Sequence, residues 1–188
     1  MGTDVTRHRF TVEDYHAMGR VGILHEDDRV ELIEGEIVEM SPIGSNHAAC
    51  VKRLNRRFTE GLGDRAVVSV QDPVRINHHS EPEPDLAVLH PRLDYYASGH
   101  PAPEDVLLIV EVAETSAGYD RHVKLPLYAR SGIPEVWIVD LAAREIERFR
   151  HPSADGYGTA ETLQSGDELT AEHLPELRLD AADLVEPA

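Results

Sequence analysis

Three carboxylates in this sequence stand where apolar side chains belong. Glu111 interrupts the run Val106-Leu-Leu-Ile-Val-Glu-Val112, Asp85 follows Pro84 and opens Asp85-Leu-Ala-Val-Leu89, and Glu31 is flanked by Val30 and Leu32. A buried carboxylate is costly unless it is paired or bound to a cation. Two carboxylate charges about 4 Å apart repel by roughly 4 kcal/mol at an effective dielectric near 20. A divalent cation removes that penalty, and hard oxygen ligands suit Mg²⁺ or Mn²⁺. Lys124 follows the Glu111 run on the next helical segment, where it can point back over the strand ends. A cation held here lowers the pKa of water and stabilises charge on a phosphate, while Lys124 orients the nucleophile or shares that charge.

Each of these residues also has a plainer reading. Glu31 reads equally as a solvated hairpin residue, and Asp85 as the end of a loop. Lys124 can pair with Asp120 at i,i+4, a contact worth about 0.2–0.5 kcal/mol. Asp120 reads as a helix cap and His47 as a polar residue at a helix N-terminus. His25 to Asp28 and His78-His79 show no convincing metal-ligand partner and read as solvated loops. There is no P-loop, Rossmann glycine fingerprint, zinc-ligand pair or nucleophile elbow.

The elements that must position the acids follow from periodicity. Val106 to Val112 is apolar on nearly every position, as in a strand covered on both faces. Asp120 to Arg130 has a helical pattern, with Gly132 and Pro134 as stop signals, and Val136 to Asp140 restarts a strand. Upstream, Thr11-Val-Glu-Asp14 predicts a capping box for a helix through about Met18. Residues 25–29 form a charged connection, and Arg29 to Ser41 reads as a hairpin turning at Glu34-Gly35. Ser45 or Asn46 is expected to cap a helix through about Glu60. On it, Lys52, Arg53, Arg56 and Arg57 form two i,i+4 pairs on one side, a candidate track for a phosphate backbone. Strands are expected at Ala66–Val70, Val74–Ile76, Asp85–Leu89, Glu145–Arg150 and Ala160–Leu163, with a helical turn near Leu93–Tyr96. Later leucines suffice to dock the tail but not to build a second core. The class is α/β or α+β, a sheet with helices at its sides.

Composition bounds the rest. A chain of 188 residues is expected to form one domain, with an acidic segment from about residue 151. The net charge of −17 argues against broad nonspecific attraction to nucleic acid. It is unevenly spread, however: from His151 onward nine acids face Arg178 alone. No stretch approaches the roughly 18 apolar residues that span a bilayer, and the N-terminal ten residues carry no signal-peptide pattern. The single Cys50 excludes an internal disulfide. A cytoplasmic protein with no membrane association is the expectation.

Pro84-Asp85, Glu111-Val-Ala, Asp120-x-x-x-Lys124 and Tyr128-Ala-Arg-Ser-Gly-Ile-Pro-Glu-Val-Trp-Ile-Val-Asp140 resemble the Uma-type family of bacterial endonucleases, within the PD-(D/E)XK superfamily. Glu31-Leu-Ile-Glu-Gly35 and Ser41-Pro to His47 match as well, so the resemblance covers about residues 10–150. It implies a restriction-endonuclease-like mixed central sheet flanked by helices, and metal-dependent cleavage of DNA phosphodiester bonds. Asp85 and Glu111 are then metal ligands, Glu31 an auxiliary acidic ligand and Lys124 the catalytic lysine. The superfamily lysine lies two residues after the second acid, where this chain has Ala113, so its role passes to Lys124 on the adjacent helix. Pro126 bears on that helix, because proline removes a helical hydrogen bond beyond the first turn. A noncatalytic interaction module keeping the nuclease fold is the alternative function. Cutting both strands favours a homodimer, since closed two-fold dimers are the commonest soluble oligomers.

Overall fold

The computed structural model describes residues 6–25 and 27–185; residues 1–5, Glu26 in the charged connection and residues 186–188 lie outside the described residues. Its centre is a six-stranded sheet. The strands are β3 (Val67–Val70), β4 (Leu86–Leu89), β5 (Val106–Ala113), β6 (Glu135–Asp140), β7 (Glu145–Ser153) and β8 (Gly156–Leu163), in that spatial order. All neighbours are antiparallel except β5 and β6, which run parallel with Glu111 opposite Ile138. A parallel pair needs a crossover rather than a tight turn. Here it is a helical segment made of α3 (Ala117–Tyr119), a π-helical stretch (Asp120–Lys124) and α4 (Leu125–Arg130).

Alternation along β4 and β5 divides the core in two. Leu86, Val88, Leu108, Val110 and Val112 face the first cluster, with α2 (Ser45–Leu62) supplying Cys50, Leu54 and Phe58. Ala87, Leu89, Ile109 and Ala113 face the second, with Leu127, Tyr128 and Ile133 from the crossover. Glu111 lies between Ile109 and Ala113 in this alternation and so shares the second face; Asp85, two residues before Ala87, falls on the same side. The apolar run was therefore legible as a doubly covered strand, and the acid in it lies on the face that the crossover covers.

α1 (Val12–Arg20) carries the expected capping box between Thr11 and Asp14. The hairpin β1 (Val30–Ile33) and β2 (Glu36–Glu39) forms as expected, as its own two-stranded sheet. Four expectations need correction. The cap of α2 is Gly44, with no side-chain bond, rather than Ser45 or Asn46. Val74–Ile76 is not a strand: the backbone of Val74 and Ile76 bonds back to Pro82 and Ser80 within one loop, leaving no partner strand. Leu93–Tyr96 is an irregular turn, with Tyr95 and Tyr96 in the left-handed region, which is incompatible with a helical turn. Asp120 does not open the helix, because the helical segment already begins at Ala117 and Asp120 sits inside it.

The acidic tail does not stand apart. Residues 151–163 continue β7 and β8, and β9 (Glu168–Ala171) pairs with β10 (Leu174–Asp180) as a hairpin. Leu169, Leu174, Leu177 and Leu179 of this hairpin join the first cluster, as does Leu184 of α5 (Ala182–Val185). Leu177 and Leu179 alternate as strand residues do, while a register shift in β10 puts Leu174 three positions from Leu177. Glu135 on this face is fully buried, yet satisfied by the Trp137 indole N–H (2.6 Å) and the Glu172 backbone N–H (2.7 Å). Among the described residues, no helix is long and apolar enough to cross a membrane.

Candidate active site

Asp85, Glu111, Glu31 and Lys124 converge on one cleft, of about 350 Å³. The β4–β5 register pairs Leu86 with Val110. Carried one residue past the end of β4, it sets Asp85 beside Glu111. The Asp85 carboxylate takes the ladder's place there, with Oδ2 accepting from the Val112 backbone N–H at 2.8 Å. The Gln71 side chain donates to its other oxygen at 3.1 Å, and His47 Nε2 lies 3.0 Å from Oδ2. Hydrogen bonding to Asp85 raises the His47 imidazole pKa, against its partial burial. His47 is thus a partner of a cleft carboxylate, not merely a polar residue opening α2.

Glu111 is 3 % exposed and Lys124 5 %. The Lys124 ammonium lies 3.3 Å from Glu111 Oε1 and 3.0 Å from Glu31 Oε2. Glu111 Oε1 also accepts from the Tyr128 hydroxyl at 2.7 Å, and Glu31 Oε2 accepts from the Glu83 backbone N–H at 3.2 Å. Burial pushes the Glu111 carboxyl upward against the opposing pull of Lys124, and the charges of Asp120 and Asp85 push the same way. Burial acts on Lys124 in the opposite sense, but Glu111, Glu31 and Asp120 outweigh it and hold the ammonium charged.

Lys124 arrives on the π-helical stretch, a wider turn whose buried residues are Asp120 and Lys124. Residues four apart share one side of a helical turn. Such single wide turns recur at functional sites. Pro126 follows at the second position of α4, where its missing N–H and its ring are accommodated by the wide turn ahead of it. A regular α-helix from Asp120 to Arg130 would have brought the ring against a preceding carbonyl.

Sequence reasoning missed three parts of this site. Asp120 is buried, bonded to Ser116 Oγ at 2.8 Å, and raised first by burial and then, despite Lys124, by Asp85 and Glu31. Glu83 lines the cleft, its carboxyl raised by burial and by Glu31. Its signal was available, since Glu83 and Asp85 alternate around Pro84 as same-side residues of an extended segment do. Tyr128 read as an apolar ring, and only the structure shows its hydroxyl on Glu111.

Lys52, Arg53, Arg56 and Arg57 lie outside the cleft. Arg53 donates to the Leu184 carbonyl at 3.2 Å and Arg57 to Asp183 at 2.6 Å, so both tie α2 to α5. Arg56 pairs with Glu60 at 2.9 Å on the exposed side, and Lys52 is exposed.

The donor set fits a divalent cation. Seven carboxylates line the cleft (Glu31, Glu39, Glu83, Asp85, Glu111, Glu114 and Asp120), with Lys124 as the buried cation among them and Arg29 at its wall. The two cations leave an excess of negative charge that a hard cation neutralises. The Tyr119 hydroxyl in the same wall is buried without a hydrogen-bond partner, a further polar group turned toward whatever fills the cleft.

A mixed sheet flanked by helices, with strand-end acids and a lysine gathered over it, defines a restriction-endonuclease-like protein. The chain belongs to the Uma2 family, described as "Putative restriction endonuclease", which it matches over residues 12–182. Among solved structures it is similar to a putative nuclease of the DUF820 family from Anabaena variabilis. That match has a TM-score of 0.72 at 14% identity and covers 94% of this chain and 97% of the other. No curated protein matches the chain.

Proposed function

We propose that this protein is a divalent-metal-dependent endonuclease acting on DNA phosphodiester bonds. The observation that carries the reading is Lys124: its ammonium reaches Glu111 and Glu31 from the crossover, on the face that Asp85 shares. Ala113, where the superfamily pattern places lysine, is buried in the second cluster on that same face. Asp85 and Glu111 would hold Mg²⁺ or Mn²⁺, with Glu31 as the auxiliary acid. When bound, the cation supplies Lewis-acid polarisation and an acidified water. The chain's own groups do the rest. Tyr128 fixes the Glu111 carboxylate, Val112 and Gln71 fix that of Asp85, and Lys124 offers positive charge to a phosphate oxygen. Such preorganised donors act strongly where water is excluded.

The reading extends to a homodimer in the cytoplasm, the buried thiol of Cys50 being compatible with a reducing compartment. The wild-type protein is expected to cut single- or double-stranded DNA with Mg²⁺ or Mn²⁺ and to stop on chelation. Light scattering of the same preparation checks the dimer, and a constant monomer mass across concentrations counts against it. Metal binding without cleavage of any DNA would favour the noncatalytic interaction module instead.

A phosphate track on α2 rests on Lys52 and Arg56, since Arg53 and Arg57 are engaged by α5. Reversing Lys52 and Arg56 is expected to weaken DNA binding similarly across sequences. The slope of log affinity against log salt should shrink by about 0.9 per lost phosphate contact on a duplex. An unchanged slope assigns both residues to ordinary solvated surface.

A further inference from the structure

Outside the cleft, three residues from separate parts of the chain meet at one point. His16 stands on α1, Glu81 in the loop between β3 and β4, and His100 in the connection between β4 and β5. One ligand atom from each lies within 4.8 Å of the others. His16 Nε2 is 2.6 Å from Glu81 Oε1, and the His16 and His100 rings stand 6.1 Å apart between centroids. None of the three lines the nuclease cleft.

Glu81 is the telling member. Its side chain is 1 % exposed, and while Oε1 meets His16, Oε2 is buried with no hydrogen-bond partner. A carboxylate oxygen in that condition costs stability unless a cation or donor reaches it. The backbone around it is tied down: Glu81 N–H bonds Leu32 of β1 (2.8 Å), Val12 N–H bonds His78 (2.9 Å) and Arg75 N–H bonds Pro101 (2.8 Å). The helix and both loops are thus held in register, so the three side chains are presented by a fixed frame.

We propose that His16, Glu81 and His100 form a second metal site, selective for Zn²⁺ or a similar borderline transition metal. Two imidazoles and one carboxylate are a donor set for Zn²⁺, which leaves further positions to water. Mg²⁺ prefers oxygen ligands, so the two sites of this protein differ in the ion they take. With His100 exposed and His16 partly exposed, an ion has a path in from solvent. Bound there, it staples α1 to the two loops and satisfies the orphaned Glu81 oxygen. The proposal stands apart from nuclease activity.

The test uses the full-length protein stripped by a chelator and then dialysed. Zn²⁺ is titrated by calorimetry in excess Mg²⁺, and Co²⁺ by visible absorption. Three proteins are compared: wild type, His100→Ala, and the cleft variant Asp85→Asn/Glu111→Gln. Wild type and the cleft variant should bind one equivalent of Zn²⁺ alike. His100→Ala should bind at least about tenfold more weakly, since even losing a group that supports a ligand costs 10–100-fold. Its Co²⁺ spectrum should lose intensity. His100 is exposed, so its replacement leaves the fold intact, and circular dichroism confirms that. Equal Zn²⁺ affinity in wild type and His100→Ala overturns the proposal. So does an absence of Zn²⁺ binding by wild type, or loss of the bound equivalent in the cleft variant alone, which would put the ion in the cleft.

Discussion

Glu111→Gln is expected to abolish DNA cleavage while leaving the fold as it is. Glutamine keeps the shape, and its carbonyl oxygen can still accept from the Tyr128 hydroxyl and from Lys124, as Glu111 Oε1 does. What is lost is one negative charge among seven carboxylates around the cleft. Losing a supporting group costs a metal site 10–100-fold in affinity, so losing a ligand's charge costs no less than about tenfold. Removing one preorganised electrostatic group from an active site typically lowers kcat by about 10²–10³. Both losses act together here, so single-turnover cleavage should fall by more than about 10²-fold at subsaturating Mg²⁺. Stability in chelator should change little, because two effects oppose each other: Lys124 loses one of its two paired carboxylates, and one buried carboxylate charge is removed. Burial already pushes the Glu111 carboxyl toward its neutral form, and a neutral isostere no longer carries the cost of burying charge. Calorimetry, single-turnover cleavage and thermal melts of the same preparations separate these effects. A variant that cuts at the wild-type rate removes Glu111 from the chemistry. One that melts far below wild type shows Glu111 to be chiefly structural.

How far the sequence foretold this site depends on the kind of signal each residue leaves. Glu111 was legible because a carboxylate inside an apolar run breaks a pattern with few exceptions. Its face was legible too, since alternation from Ile109 to Ala113 fixes it without tertiary information. The central unit was read as strand, helical segment and strand, and β5, the crossover and β6 follow that order. Lys124 was legible as a residue but not as a direction. That direction depends on how the crossover packs over β5, with Leu127 and Tyr128 against Ile109 and Ala113, which helical periodicity alone does not reveal. His47 was ambiguous for another reason. A polar residue in the first turn of a helix is ordinary, and only the approach of Asp85 from 38 positions away gives it a partner. His16, Glu81 and His100 left no local trace, because their meeting depends on how two long connections fold over α1. The tail hairpin β9–β10 was read only as docking leucines, because a register shift between Leu174 and Arg178 breaks its alternation.

Lys124→Met separates the lysine's two duties, counter-ion and catalyst. Methionine keeps much of the stem but removes the ammonium that lies beside Glu31 and Glu111. Breaking a buried ion pair by removing one partner costs about 3–5 kcal/mol when the other charge must stay. The loss here should fall toward the lower end of that range, because Glu111 is already driven toward protonation by burial and can shed its charge. Added Mg²⁺ should restore part of it, since a ligand that binds only the folded state at about 100 times its Kd adds about 2.7 kcal/mol. Metal affinity should stay level or rise, because the cleft becomes more negative when its buried cation goes. Cleavage should nevertheless fall by about 10²–10³, as on removing a donor aimed at developing charge. That combination distinguishes Lys124→Met from Glu111→Gln, in which metal affinity and cleavage fall together. Melts in chelator and in Mg²⁺, calorimetry and single-turnover cleavage provide the comparison. Cleavage that persists at the wild-type rate with metal restored would make Lys124 a structural counter-ion alone. Metal binding that disappears with the lysine would mean that the ammonium, and not the acids by themselves, holds the cleft in its binding shape.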